Sequence, residues 1–161
     1  MFDKRIINEY ESLINIESNI DYCPIHDVNI LSYTKKNVTI EIKMSIFSYT
    51  HTITFYLCDS FPFKPPSIQI NTKQYKNLLI DHNKRHLKKY YYDKFFFNGD
   101  YDMCLCCSTI LCNWSPSFKL VDILPEIKKN IEYTHRFIEI LHAIKIKNKY
   151  LIDDICIESY L

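Results

Sequence analysis

The sequence predicts one α+β domain on three observations: an amphipathic opening, a middle of alternating apolar and polar residues, and a long run of helical periodicity towards the end. In the opening, Ile6, Tyr10, Leu13 and Ile14 fall at i, i+4, i+7 and i+8 with Ile7 beside them, and Asp3 is available as an N-cap. In the middle, Val38, Ile40, Ile42, Met44 and Ile46 alternate with Thr39, Glu41, Lys43 and Ser45, which puts the apolar side chains on one face of a sheet. Ile53, Phe55 and Leu57 repeat the alternation after a connection over Phe47 to His51. Ile68 and Ile70 offer a further strand beyond a proline cluster, so these segments read as an antiparallel meander. From Tyr75 to Phe97 the pattern gives way to an irregular connection with room for a short helix. Leu120, Leu124, Ile127 and Ile131 then keep helical spacing, continued by Ile138, Leu141 and Ile144, with Ser117 as N-cap. Pro125 lies inside that run and predicts a kink or a fresh helix start, because proline lacks the backbone donor and crowds the preceding turn.

A chain of 161 residues supports one ordinary core, and no repeat or linker divides it. Twenty Lys and Arg against 19 Asp and Glu leave a formal charge of +1, without the basic excess of a dedicated nucleic-acid binder. Met1 leads directly into the charged amphipathic stretch. With no apolar export segment there and no uninterrupted run of membrane length later, the expectation is a soluble intracellular protein, cytoplasmic or nuclear, without a membrane partner. Seven cysteines are an odd number, and four of them crowd into Cys104 to Cys112, which favours free thiols, thiol chemistry or a metal over a disulfide framework. The sequons at Asn37 and Asn113 matter only in a secretory compartment and are set aside. One Gly, 13 Tyr and 10 Phe, with abundant Ile, Asn and Lys, fit an AT-rich genome such as that of a large DNA virus or a protist; a viral chain would work in its host cell.

The segment Phe61-Pro62-Phe63-Lys64-Pro65-Pro66 lies between two strand patterns, and its three prolines hold it extended and outside a regular ladder. Alone it is a rigid turn. Its place in an ordered set carries more: a helix, a meander, FPFKPP, the step Met103-Cys104-Leu105, then Trp114-Ser115-Pro116 and a helix. From Lys4 to about Ile131 this order resembles the ubiquitin-conjugating enzyme family. The resemblance implies a single conjugating-enzyme-like domain over residues 1–161. It would hold an N-terminal helix, a four-stranded antiparallel meander, an active-site cysteine segment and C-terminal helices, remodelled over residues 132–161.

What the resemblance implies about function is a transferase. One cysteine takes the C-terminal carbonyl of ubiquitin or a related modifier from an activating enzyme as a thioester and yields it to a substrate lysine or a ligase. No cofactor of its own is expected, ATP being used by the activating enzyme. Two registers compete for the nucleophile: Cys104 reproduces the hydrophobic-Cys-Leu step, whereas Cys106 has the spacing to Trp114 and Asn98 common among the ubiquitin enzymes. The family's His-Pro-Asn step is absent. Phe96-Phe97-Asn98 stands nearest, so Asn98 is either the amide that stabilises the oxyanion or a turn residue of Asn98-Gly99-Asp100. The residue soon after Cys-Leu that assists the lysine would be Cys106 if Cys104 is active and Ser108 if Cys106 is, with Asp100 and Asp102 as substitutes. Partner contacts carried over from the family fall on Lys4 and Arg5 of the first helix, on Phe63, and on Ser115, Pro116 and Ser117.

Other chemistry remains open for the same residues. Cys104, Cys106, Cys107 and Cys112 could hold a structural zinc, with His82 or His86 as substitute ligands, or could be inert buried thiols. Such a chain, lacking His-Pro-Asn, would be a catalytically silent module that binds ubiquitin or its ligases. The basic and aromatic stretch His82 to Lys94 could stack on single-stranded nucleic acid, but a solvated insertion suits the near-neutral chain better. His26, His51, His135 and His142 are scattered and read as ordinary surface or packed residues.

Overall fold

A computed structural model describes residues 2–18, 24–77 and 109–147. Helix α1 (Phe2–Ile14) runs into a 3-10 turn at Asn15–Ser18. The strands follow as β1 (Ile25–Tyr33), β2 (Asn37–Ile46), β3 (Tyr49–Cys58), β4 (Ser67–Ile70) and the two-residue β5 (Lys73–Gln74), and helix α2 (Leu120–Lys147) comes last. Among the described residues no helix is long and apolar enough to cross a membrane.

The sheet is an antiparallel meander in the order β1-β2-β3-β4-β5, five strands where four were expected. Its centre follows the alternation in the sequence. Val38, Ile40, Ile42, Met44 and Ile46 are all buried, and Ile40 pairs with Phe55, Ile42 with Ile53 and Val38 with Leu57. Strand β1 escapes the pattern for a physical reason. It is an edge strand, exposed along most of its length, with register shifts between Ile25 and Asp27 and between Ile30 and Ser32 that break period 2. The turn between β2 and β3 is also shorter than the expected Phe47-to-His51 connection. Only Phe47 and Ser48 lie between the strands, and Phe47 takes the left-handed conformation at φ 55°. Strand β3 therefore begins at Tyr49, and His51 joins Ile53, Phe55 and Leu57 on the core face.

The two helices cover that face. Helix α1 buries Ile6, Glu9 and Leu13, so its inner face is turned from the predicted stripe: Ile7 and Ile14 are exposed, and Tyr10 donates its hydroxyl to the Val28 carbonyl at 3.3 Å. Helix α2 buries Leu120, Ile123, Leu124, Ile127, Ile131 and Ile138. All but Ile138 join Ile6, Leu13 and the inner sheet residues in one contiguous cluster, in which each fully buried Ile, Leu or Phe contributes about 1.5–3 kcal/mol.

The predicted caps fall elsewhere. Asp3 sits inside the first turn of α1, where its carboxylate accepts the Tyr33 hydroxyl. Ser117 belongs to a turn closed by the Phe118 amide on the Ser115 carbonyl at 3.0 Å, and α2 starts three residues later. Its end is capped by two carboxylates: Asp122 accepts the Lys119 amide and Glu9 accepts the Leu120 amide, each at 2.7 Å. Pro125 initiates nothing. The helix is continuous through it, with the ring exposed and the Val121 carbonyl deprived of its i+4 amide donor.

Candidate functional site

Two loops meet at one end of the helical layer. The Trp114 indole donates from Nε1 to the Pro62 carbonyl at 2.6 Å, and its ring lies between Phe61 at 6.0 Å and Phe118 at 5.9 Å. The Phe61-Pro62 peptide is cis. Phe61 is buried, whereas Phe63, two residues on, is 74% exposed. FPFKPP and Trp-Ser-Pro are thus joined by a hydrogen bond spanning 52 positions, and the exposed Phe63, Pro116 and Ser117 are presented by adjoining loops. Ser115 and Ser117 share a hydroxyl bond at 2.9 Å.

Behind these loops lies a charged pair. Arg5 donates from Nη2 to the Phe118 carbonyl at 2.6 Å and places its guanidinium 5.7 Å from the centre of the Phe61 ring. Its Nε stands 2.7 Å from Glu9 Oε1, an ion pair without the alignment of a directed hydrogen bond. Burial pushes the Glu9 carboxyl above its ordinary 4.5, opposed by the Leu120 amide and by the charges of Arg5 and Lys119. Lys4 points to solvent, whereas its neighbour Arg5 is committed to internal partners.

The cysteine segment itself, with Cys104, Cys106, Cys107 and Asn98, lies outside the described residues, as do His82 and His86. Both of its flanks are anchored to one carboxylate on α2. Glu126 accepts the Tyr75 hydroxyl on Oε1 at 2.8 Å and the Ile110 amide on Oε2 at 2.7 Å, and Asn130 adds a donor to the Tyr75 oxygen. On the far side the chain turns tightly. The amides of Cys112 and Asn113 both donate to the carbonyl of buried Thr109, and Cys112 is exposed. Cys58 is half-buried on β3, and among the described residues no three metal-ligating side chains converge.

A second site was not anticipated. His51 on β3 and His135 on α2, 84 positions apart, bring their Nε2 atoms to 3.3 Å. They border a cavity of about 310 Å³ together with Tyr49, Ile70, Thr72 and Ile131. Tyr49 stacks on the His135 ring at 4.9 Å, and Phe47 meets the same ring edge-on at 6.0 Å. Burial pulls both imidazoles below their ordinary 6.5; the neighbouring His135 lowers His51 further, while Glu139 partly offsets the effect on His135. The two histidines looked scattered because their association is tertiary, yet a trace was legible. His51 is in phase with Ile53 and Phe55 at period 2, and His135 falls between Ile131 and Ile138 at helical spacing. Glu9 has the same signature, three residues after Ile6 and four before Leu13.

Comparisons with known protein families, with curated proteins and with solved structures find no match to this chain.

Proposed function

We propose that the chain is a ubiquitin-conjugating transferase, which takes ubiquitin or a related modifier from an activating enzyme as a cysteine thioester and passes it to a substrate lysine or a ligase. The observation that carries this reading is the bond from Trp114 Nε1 to the Pro62 carbonyl, because it joins the two motif elements that flank the cysteine segment. An N-terminal helix ahead of an antiparallel meander, in the family's order, supports it.

The chemistry is two acyl transfers. A thiolate, Cys104 by local motif or Cys106 by register, attacks the carbonyl carbon of the modifier's thioester. A new C–S bond forms and the activating enzyme's thiolate leaves. In the second step a neutral lysine amine attacks the same carbon. The C–N bond replaces C–S, the protein's thiolate leaves and the amine's proton passes to a base. The oxyanion formed in each step needs a fixed donor, and Asn98 is the candidate in this chain. Lys4 is offered to activating enzyme and ligase, and Phe63 with the Ser115-Pro116-Ser117 turn is offered to the ligase. Arg5 acts from behind these residues through Phe118 and Glu9.

The missing His-Pro-Asn step favours one second reading, a catalytically silent module that binds the modifier or its ligases. Intact-mass measurement separates the two. The chain is incubated with ubiquitin, activating enzyme and ATP, and is read without reductant and again with it. An adduct of ubiquitin's mass that a thiol removes is expected. It should vanish in Cys104→Ser or in Cys106→Ser, and the variant that loses it names the nucleophile. No adduct with ubiquitin or related modifiers, using activating enzymes that charge another acceptor, leaves the silent module.

A further inference from the structure

We propose that His51 and His135 form a zinc site, with one ion held by both Nε2 atoms and completed by water from the adjoining cavity. The spacing admits a tetrahedral ion. Two imidazole nitrogens on a tetrahedral zinc, at Zn–N distances of about 2.0–2.1 Å, stand about 3.3–3.4 Å apart. The two Nε2 atoms are 3.3 Å apart and share a ring-to-ring hydrogen bond, whose proton the ion would replace. Neighbouring ligands on a square-planar ion such as copper(II) would be closer, about 2.8–2.9 Å, and opposite ones about 4 Å. A tetrahedral ion could therefore replace the shared proton with little movement of the two nitrogens.

The rings are also held in place. His51 is 8% exposed and is paired on β3 with Met44 of β2. The His135 ring is stacked by Tyr49 at an interplanar angle of 16° and edged by Phe47, so both donors are fixed on rigid elements before an ion arrives. The rings stand at 74° to each other, and the cavity of about 310 Å³ beside them has room for the remaining ligands as water. Such a site is open, with two protein ligands.

It is also exchangeable. Zinc on Nε2 puts the ring proton of His51 on Nδ1, which is buried and has no hydrogen-bond partner among the described residues. Loss of such outer-shell support lowers metal affinity about 10–100-fold, so the ion binds reversibly and does not act as a permanent staple.

The test uses the full chain with 15N-labelled histidine, titrated with zinc chloride and observed by NMR. At one equivalent bound to the pair, the Nε2 resonances of His51 and His135 shift together, both rings lock as the Nδ1–H tautomer, and EDTA reverses the change. Zinc taken up by the cysteines leaves these nitrogens unmoved, which keeps the two metals apart in the readout. In His135→Gln the response of His51 is expected to disappear. Absence of any zinc response at the two rings of the wild-type chain overturns the proposal. So does a response of the two rings at unrelated zinc concentrations, or a His51 response that persists in His135→Gln. Because the wild-type titration is decisive by itself, a variant that fails to fold does not shelter the proposal.

Discussion

Glu9 Oε2 accepts the amide hydrogen of Leu120 at 2.7 Å, so a carboxylate from the first helix caps the last one across 111 positions. The same side chain is 1% exposed and carries the ion pair with Arg5. Removing it strands two groups at once, a helix-terminal amide and a partly buried guanidinium. Glu9→Ala is therefore expected to cost about 3–5 kcal/mol, measured as a lowered urea midpoint. Loss of less than about 1 kcal/mol, a typical surface effect, would contradict this account.

The pH dependence of Glu9 has a definite sign. Burial raises its carboxyl above 4.5, so the folded chain holds that proton more tightly than the unfolded one does. The stabilisation linked to this proton is fully present below the ordinary value and is lost as pH rises through the raised one. Glu9→Gln keeps an acceptor for Leu120 and does not titrate. The stability of wild type minus that of Glu9→Gln should thus fall with rising pH within this window and be flat on either side. Urea unfolding of both proteins across the acid range reads the difference, and a rise with pH would reverse the assignment.

What the sequence discloses follows from how local each feature is. Strand β2 and the inner face of α2 are legible because burial repeats at a fixed period, and Ile40, Ile42, Leu124 and Ile127 all land in the core. Strand β1 is illegible because an exposed edge with two register shifts has no period to read. The caps are misread for a different reason. Asp3 lies inside the first turn of α1 with its carboxylate on the Tyr33 hydroxyl, and the amides of Lys119 and Leu120 at the start of α2 go to Asp122 and Glu9 and not to Ser117; only folding brings Glu9 to Leu120. Of the site, FPFKPP and Trp-Ser-Pro are visible as motifs. Their joining through Trp114 and Pro62, and the meeting of His51 with His135, are tertiary facts.

Trp114→Phe keeps an aromatic ring between Phe61 and Phe118 but removes the indole donor and the volume of the second ring. The Pro62 carbonyl then loses its 2.6 Å partner, and a destabilisation of about 1–2 kcal/mol is expected in thermal or urea unfolding. If the loops serve a ligase, ligase-stimulated discharge should fall further than the stability change explains, while charging by the activating enzyme persists.

Phe63 separates surface from scaffold. At 74% exposure its truncation to Ala should alter stability by no more than about 0.5 kcal/mol. Under the transferase reading the same variant charges normally and loses most ligase-stimulated discharge, measured by single-turnover release of labelled modifier. Arg5→Ala should behave in the opposite way, losing stability first, since its guanidinium serves Phe118 and Glu9. Equal discharge defects at unchanged stability in both variants would contradict this division of labour.

Tyr75 and Glu126 form a part-buried anchor, because one carboxylate joins two segments distant in sequence. Tyr75 is 1% exposed, and its hydroxyl donates to Glu126 and accepts from Asn130. Glu126 uses its other oxygen for the Ile110 amide, so one carboxylate ties positions 75 and 110 to the same turn of α2. Tyr75→Phe removes a hydroxyl and leaves two polar partners short of a bond, for an expected cost of about 1–3 kcal/mol. Glu126→Ala removes the acceptor of both donors. Because both changes break the same bond, their costs should not add, and a double-mutant cycle should give a coupling of about 0.5–3 kcal/mol. Faster hydrogen exchange at the Ile110 amide in Glu126→Ala, without faster exchange at the Ile42 amide in the middle of β2, would locate the effect at this anchor. Additive costs within about 0.3 kcal/mol would show that Tyr75 and Ile110 are held independently.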